Sequence, residues 1–359
     1  MKASVSLLPL SAVYSAVTRA RLSAYRRGWF TTAALAVPVI SVGNLTTGGT
    51  GKTPLVEWIC RAIAKEAPGD ETREVGRTGK RVCVLTRGYG RENPKTQVLV
   101  SNGTELLANQ REAGDEPFLL ATNLLGIAAV VANPSRLAAG AWAVEKLNTE
   151  VFVLDDGFQH LRLARDLDIV IIDATNPWGG GSLLPYGRLR EPLAGLSRAD
   201  CVVITRTEQV EDLASIRTAV ERLVGATPVF ASRMVASGIR LLDGESVAKQ
   251  SLQAQPLEAF CGVGNPKSFF NFLRREGYAP ALTRTFADHH NYKQSDIDAL
   301  VKEAKGAGIE GLITTAKDAT KLSALNVELP CYILDIQISI DAEDRLVEMI
   351  RTACHNRKR

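Results

Sequence analysis

The stretch VPVISVGNLTTGGTGKTPLVEWI at residues 37–59 constrains this chain more than any other. The apolar, β-branched run at 37–42 suits a strand buried on both faces of a parallel sheet. A glycine cluster follows, and Thr53-Pro54 opens a helix, since proline is tolerated in a first turn whose N–H groups have no intrahelical partner. Gly48, Gly49 and Gly51 let backbone N–H groups turn toward an anion at the helix N-terminus, where the dipole also favours negative charge. Lys52 can reach the β and γ phosphates of a nucleotide, and the Thr53 hydroxyl can ligate Mg2+. The candidate phosphate cradle is therefore Thr46, Thr47, Gly48, Gly49, Thr50, Gly51, Lys52 and Thr53. One position departs from G-x-x-x-x-G-K-[ST]: Thr46 stands where the first glycine is usual.

The form T-x-G-G-T-G-K-T is similar to the loop of partitioning ATPases, which carry a second lysine just before the glycine pair. Thr47 occupies that place here, which argues against a dimer-sandwich ATPase. Guanine-specific GTPases need an N-K-x-D element, and Ala316-Lys317-Asp318 lacks its Asn and its spacing. ATP is the expected nucleotide.

A chain of 359 residues exceeds what one core usually organises, so two domains are expected. Six scattered cysteines without a C-x-x-C pair read as reduced, buried thiols of a cytosolic compartment. The net charge of +4 is unevenly distributed: Lys2, Arg19, Arg21, Arg26, Arg27 and Lys52 precede the first acid, Glu57. No stacking aromatics interleave this basic end, which points away from nucleic acid and toward anionic lipid. Nothing calls for an obligate protein partner.

The uncharged run at 3–18 is too short to span a bilayer and contains Pro9. After it, Leu10, Val13, Tyr14 and Val17 recur at i, i+3, i+4 and i+7, followed by arginines. Two readings stand, an interfacial helix with Gly28-Trp29-Phe30 near headgroup depth, or an ordinary helix packed on the core. Most of the positive charge follows the apolar run, the reverse of a signal peptide, so retention in the cytoplasm is expected.

Further along, strands are expected at 81–86, 128–132, 151–154 and 169–172, with helices at 54–65, 118–125 and 136–147, and an exposed loop at 66–80. This alternation means α/β architecture, a doubly wound, mostly parallel sheet whose strand ends face the ligand. The pattern restarts near 231: strands at 257–263, 284–286, 311–315 and 331–336, with helices at 266–276 and 295–305, make a second, smaller α/β domain. The expected organisation is an N-terminal amphipathic helix (1–35), a P-loop nucleotide domain (36–235), a smaller domain closing the cleft (236–336) and a C-terminal helix (337–359) that packs back on the first domain. An apolar strand ending in Asp is the form expected of a metal-holding carboxylate, and both Asp155-Asp156 and Asp173 satisfy it. The first is favoured because Gln159 and His160 follow it directly.

The strings VGNLTTGGTGKTP, TRGYGR, GDEP, DDGFQHLRLARDLDIVIID, LLPYGRLREP, GVGNP, FADHHNY and TTAKDATKL run in this order through nearly the whole chain. In that order and spacing the chain resembles the tetraacyldisaccharide 4'-kinase family of lipid A synthesis, whose P-loop also lacks the first glycine. The resemblance implies a P-loop kinase-like fold that uses ATP and Mg2+. It implies transfer of the γ-phosphoryl group to the 4'-hydroxyl of a tetraacylated glucosamine disaccharide 1-phosphate at the cytoplasmic face of the inner membrane. It implies Lys52 on the leaving phosphates and Thr53 with Asp156 and Asp155 on the metal. It pairs Asp115 with His289 as proton acceptor, completed when the domains close. Tyr89, Glu116, Arg190, Glu191 and Gln159 are the implied acceptor contacts, with Arg87 and Arg188 further candidates. Each has a structural alternative: Asp115 precedes a helix where Asp is often an N-cap, and His290 adjoins His289. N-P-S-R at 133–136 receives no role. The competing function is a membrane-associated P-loop NTPase acting as a switch or metallochaperone, which would hydrolyse nucleotide without an acceptor.

Overall fold

The computed structural model describes residues 7–65, 80–253, 255–288, 290–322 and 324–355. His289 and most of the loop expected at 66–80 lie outside the described residues. Two compact units are present, one comprising residues 1–234 and 338–359, the other 235–337.

The larger unit opens with α1 (Leu8–Arg26) and then β1 (Val39–Asn44), α2 (Lys52–Lys65) and β2 (Val82–Thr86). Next come the edge strand β3 (Val98–Ser101), two short helices α3 (Gln110–Ala113) and α4 (Asp115–Asn123), β4 (Ala128–Ala132) and α5 (Arg136–Leu147). The unit continues with β5 (Val151–Asp155), β6 (Leu167–Asp173), β7 (Cys201–Thr205), α6 (Leu213–Val224) and the start of β8 (Val229–Leu241). Its strands lie in the order β3-β4-β2-β5-β1-β6-β7-β8, all parallel where paired except β3 against β4. Every residue of β1, β2, β4, β5, β6 and β7 is buried. Helices cover both faces of such a sheet, which is why these strands read as continuous rather than alternating apolar runs.

The smaller unit contains α7 (Lys249–Gln253), β9 (Leu257–Cys261), α8 (Pro266–Arg275), β10 (Leu282–Thr285), α9 (Gln294–Gly306), β11 (Gly311–Thr315), α10 (Ala316–Ala319) and β12 (Cys331–Ile340). Its parallel strands run β10-β9-β11-β12. The chain then returns to the larger unit with α11 (Glu343–His355), whose Leu346, Ile350, Ala353 and Cys354 share a core with Ile40, Val42, Ile59 and Ile63. All six cysteines are buried and none forms a disulfide.

Three sequence expectations require correction. The helix expected from residue 118 begins at Asp115, because Gly114 supplies its N-cap. The P-loop strand runs two residues further than expected and ends on Asn44, so a polar side chain sits buried at its tip. The α1 stripe divides: Leu10, Val13 and Val17 are 57%, 62% and 62% exposed, while Tyr14 turns inward and donates to the Arg190 carbonyl at 2.9 Å.

One buried acid of the smaller unit predicts a pH dependence. Glu258 on β9 is 1% exposed, and its Oε2 has no hydrogen-bond partner. Burial first, then Glu303, push its carboxyl up to about 7, against a smaller opposing pull from Arg284. A raised acid pKa disfavours the folded state once the group must ionise. The native state therefore loses stability as pH rises from the ordinary Glu range through about 7. Glu258→Gln is expected to raise the thermal midpoint at pH 8, by on the order of 1–2 kcal/mol of stability, with little change at pH 4.5. Midpoints that respond equally at both pH values would refute this.

Candidate active site

The polar residues at the carboxyl ends of adjacent strands come together. Asn44 ends β1, Thr86 ends β2, Asp155 ends β5, Asp173 ends β6 and Thr205 ends β7, and all five are buried. Register places Val42 beside Asp155, and Asp173 beside Thr205. In open α/β sheets this edge is where ligands bind.

The loop after β1 is braced from below by Asn44, whose Nδ2 donates to the Thr46 carbonyl at 2.6 Å and to Thr50 Oγ1 at 2.9 Å. Lys52 Nζ, at the start of α2, donates to Asn44 Oδ1 at 3.4 Å. From the far side, Thr205 Oγ1 donates to the Thr50 carbonyl at 2.8 Å and Arg206 donates to the Gly49 carbonyl. Thr46 is absent from the residues with positive φ, so its position does not need glycine; it is buried and forms an isolated bridge with Leu189. The position of Gly48 does favour glycine, because its φ of +114° is a conformation that other residues rarely adopt. The Thr47 N–H donates to the Arg188 carbonyl at 2.8 Å. Gly51 and Thr53 flank Lys52 at the mouth of α2.

The two candidate carboxylate positions have different partners. Asp173 is occupied by Arg206 and by the Thr175 hydroxyl. Asp156 lies 3.7 Å from Lys52, and Arg190 donates to both of its oxygens at 2.7 Å. Burial pushes Asp156 up, but Lys52 and Arg190 outweigh it and hold the carboxyl below its usual range. Asp155 accepts from Thr86 at 3.0 Å. Burial, then Glu116 and Asp156, push Asp155 up to about 6 despite Lys52. A buried carboxylate with that balance, adjoining a second carboxylate, suits a hard divalent cation. Mg2+ commonly takes one or two carboxylates and keeps water and phosphate oxygens for the rest. No cluster of three or more His, Cys, Asp or Glu ligands occurs among the described residues.

Asp115 is the first residue of α4 and is not its cap, since Gly114 holds that position without a side chain. This removes the N-cap alternative. Gly114 packs against the R-G-Y-G-R loop, where a Cβ would stand 2.5 Å from the Tyr89 carbonyl. The Asp115 carboxylate accepts from Gln110 Nε2 at 2.7 Å.

Gln159, Arg190 and Glu191 form one network. Gln159 Nε2 donates to the Asn44 carbonyl and to Glu191 Oε1, each at 2.9 Å, and Arg198 bonds Glu191 at 2.8 Å. Glu191 is buried, so it braces Gln159 and Arg198 rather than presenting a carboxylate to solvent. Tyr89 is exposed and accepts from Arg87 at 2.9 Å.

Above this floor lies a cavity of about 460 Å3, walled on one side by α1 residues Tyr14, Thr18 and Arg21 and on the other by Arg87, Asp156 and Arg190. Ser11 and Tyr14 anchor the helix to the carbonyls of Leu183 and Arg190, and Arg21 donates to the Gln159 carbonyl at 3.0 Å. His160 also lines the cavity; burial and then Arg136, Arg165, Arg21 and Arg162 push it down to about 4, so it is neutral near pH 7.

Sequence reasoning missed Arg136, in the segment given no role. It is 5% exposed, borders the cavity, and sits at the first position of α5. Burial lowers its pKa while Asp155 and Asp156 oppose that shift. A usable signal existed: a cation at a helix N-terminus opposes the dipole, so an Arg there, directly after a strand end, points to a ligand.

Comparison with known proteins identifies the family. The family description "Tetraacyldisaccharide-1-P 4'-kinase" matches residues 3–355. The tetraacyldisaccharide 4'-kinase of Geobacter metallireducens is 43% identical over 88% of this chain and 88% of its own length. That of Syntrophotalea carbinolica is 37% identical over 98% of this chain and 92% of its own. The crystal structure of LpxK from Aquifex aeolicus in complex with ATP superposes with a TM-score of 0.77 at 32% identity, covering 98% of this chain and 99% of that one. A P-loop braced by Asn44, a paired Asp155-Asp156 beside Lys52, and a match along almost the full length place the chain in one family: it belongs to the tetraacyldisaccharide-1-P 4'-kinases.

Proposed function

We propose that this protein transfers the γ-phosphoryl group of ATP to the 4'-hydroxyl of a tetraacyldisaccharide 1-phosphate, the reaction for which its relatives are named. The carrying observation is the contact of Lys52 with Asp156, 3.7 Å apart, at the point where the phosphate loop meets an arginine-lined cavity. Phosphoryl transfer is mostly positioning and charge neutralisation, and these residues supply both.

Lys52 and the loop N–H groups hold the leaving phosphates. Thr53 and Asp156, with Asp155, would hold Mg2+, which when bound neutralises charge on the phosphate oxygens. As the 4'-oxygen forms its bond to the γ-phosphorus, the bridging bond to the β-phosphate breaks and ADP leaves with that electron pair. The hydroxyl proton goes to the Asp115 carboxylate, and the family resemblance assigns His289 to the same proton transfer. Arg21, Arg87 and Arg136 give the cavity the positive charge that an anionic sugar phosphate requires, and Arg190 orients Asp156 while lining the cavity.

Incubation with γ-labelled ATP, Mg2+ and the disaccharide 1-phosphate lipid tests the reading. Label is expected in the lipid. Label appearing only as free phosphate would favour the NTPase switch.

The acceptor is a lipid, and α1 is suited to meet it. No helix among the described residues is long and apolar enough to cross a membrane. Yet Leu10, Val13, Val17, Trp29 and Phe30 are all exposed, with Arg27 stacked 5.4 Å from the Trp29 ring. The polar side of the helix faces protein and its apolar side does not, the reverse of a helix packed on a core. This supports a helix lying in the cytoplasmic face of the inner membrane, holding acyl chains in the bilayer while the sugar enters the cavity. Val13→Asp with Val17→Asp is expected to reduce co-sedimentation with vesicles of phosphatidylethanolamine and phosphatidylglycerol by tenfold or more, since each buried apolar side chain contributes roughly 1.5–3 kcal/mol. Unchanged sedimentation at moderate salt would remove α1 from membrane binding.

A further inference from the structure

Three sequence segments take no part in the phosphate or acceptor contacts above: G-V-G-N-P, the aromatic residues of F-A-D-H-H-N-Y, and T-T-A-K-D-A-T-K-L. In the smaller unit one buried carboxylate joins all three. Asp318, on α10 and 0% exposed, accepts from the Gly262 N–H at 3.1 Å, from the Tyr292 hydroxyl at 3.1 Å and from the Thr315 hydroxyl at 2.7 Å. Gly262 packs closely on this group: a Cβ there would stand 3.1 Å from Asp318 Oδ1 and from the Ala287 carbonyl, and 3.2 Å from Tyr292 Oη.

The α10 segment reaches the D-H-H turn twice more. Lys317 Nζ lies 3.7 Å from the Asp288 carboxylate, and Lys321 donates to the His290 carbonyl at 3.1 Å. On the opposite side Phe286 stacks on His290 with ring centres 4.8 Å apart, and Tyr292 meets Phe260, Phe286 and His290 edge to face. His290 Nε2 is 3.0 Å from Asp296 near the start of α9, so this imidazole is engaged in the scaffold. Backbone or side-chain anchors therefore hold Asp288, His290 and Tyr292, on both sides of position 289.

A buried carboxylate is tolerated only when hydrogen bonds fill its lone pairs, and apolar packing of similar volume stabilises a core at least as well. What the carboxylate adds is fixed geometry: three donors from three separate segments have one common arrangement. Burial and Asp318 push the Tyr292 phenol up, so it remains a donor throughout the working pH range.

We propose that Asp318 is a positioning residue that fixes Asp288, His290 and Tyr292, the residues on either side of position 289 in the chain. This rests on the reading above in which His289 takes part in proton transfer. An Asn at 318 would keep the shape but offer one acceptor atom to three donors, loosening the turn without emptying the core.

The experiment is a double-mutant cycle on the full-length protein, with kcat and KM for ATP measured against the acceptor lipid. Asp318→Asn is expected to lower kcat 10- to 100-fold with KM for ATP within twofold. In a His289→Ala background the same substitution is expected to cause no further loss, because the group it positions is gone. Tyr292→Phe, which removes a single donor, is expected to lower kcat up to tenfold with the same dependence on His289. It carries the test if Asp318→Asn does not fold. An unchanged kcat, or an equal fold-loss in both backgrounds, overturns the positioning role. If His289→Ala alone retains full turnover, the proton-transfer reading falls and the inference falls with it. A His289→Ala enzyme that is inactive beside a fully active Asp318→Asn enzyme overturns the inference alone.

Discussion

Lys52→Ala is expected to lower kcat/KM for ATP by about 10³-fold or more, a loss of roughly 4 kcal/mol of transition-state stabilisation. Lys52 Nζ bonds Asn44 Oδ1 at 3.4 Å and lies 3.7 Å from Asp156 at the mouth of α2, where the phosphates would sit. Its removal weakens nucleotide binding and also withdraws the cation that opposes the upward push on Asp155. Both ATP affinity, by isothermal titration, and kcat should fall. Lys52→Arg should not restore activity, because a planar guanidinium cannot replace a point charge on a short reach between Asn44 and the phosphates. A Lys52→Ala protein that binds ATP normally and turns over within tenfold of wild type would end the P-loop reading.

Asp115→Ala should separate binding from chemistry. Loss of a positioned proton acceptor is expected to lower kcat by about 10²–10⁴-fold. ATP affinity should stay within about twofold. Gly114 and not Asp115 is the cap of α4, so the substitution removes the bond from Gln110 but no capping bond. Asp115→Ala retaining most of its turnover, or losing ATP affinity in parallel with kcat, would reassign the residue to a structural role. Asp115→Asn should behave like the alanine variant, since an amide keeps the bond from Gln110 in reach but accepts no proton.

Much of the sheet was legible because the strands of a parallel sheet are apolar throughout and flanked by glycine and proline. The strands at Ala128–Ala132 and Gly311–Thr315 and the helix at Arg136–Leu147 fall where expected. β3, β7 and the long β8 were not anticipated: a short edge strand and a half-exposed strand have mixed composition that periodicity does not separate from loop, whereas β7 is apolar and fully buried and its CVVIT run was left unassigned. The site was legible where function demands a special backbone or residue pair, as at Gly48 and Asp155-Asp156. It was not legible where the fold carries an ordinary residue to the cavity or to the loop. Arg136 and Arg206 look like surface arginines in one dimension, and only the fold brings one to the cavity and the other to the Gly49 carbonyl.

By itself the sequence determined the phosphate loop, the α/β alternation, the basic amino end and the family, since each depends on local conformational limits or on contiguous strings. Tertiary structure alone decided that Asp156 lies against Lys52 while Asp173 is held by Arg206 and Thr175, because the sequence shows two apolar runs ending in Asp and not which of them reaches the loop lysine. It also decided which face of α1 is buried. An amphipathic stripe states that two faces differ; only docking through Ser11, Tyr14 and Arg21 states which of them the protein covers and which it leaves to its surroundings.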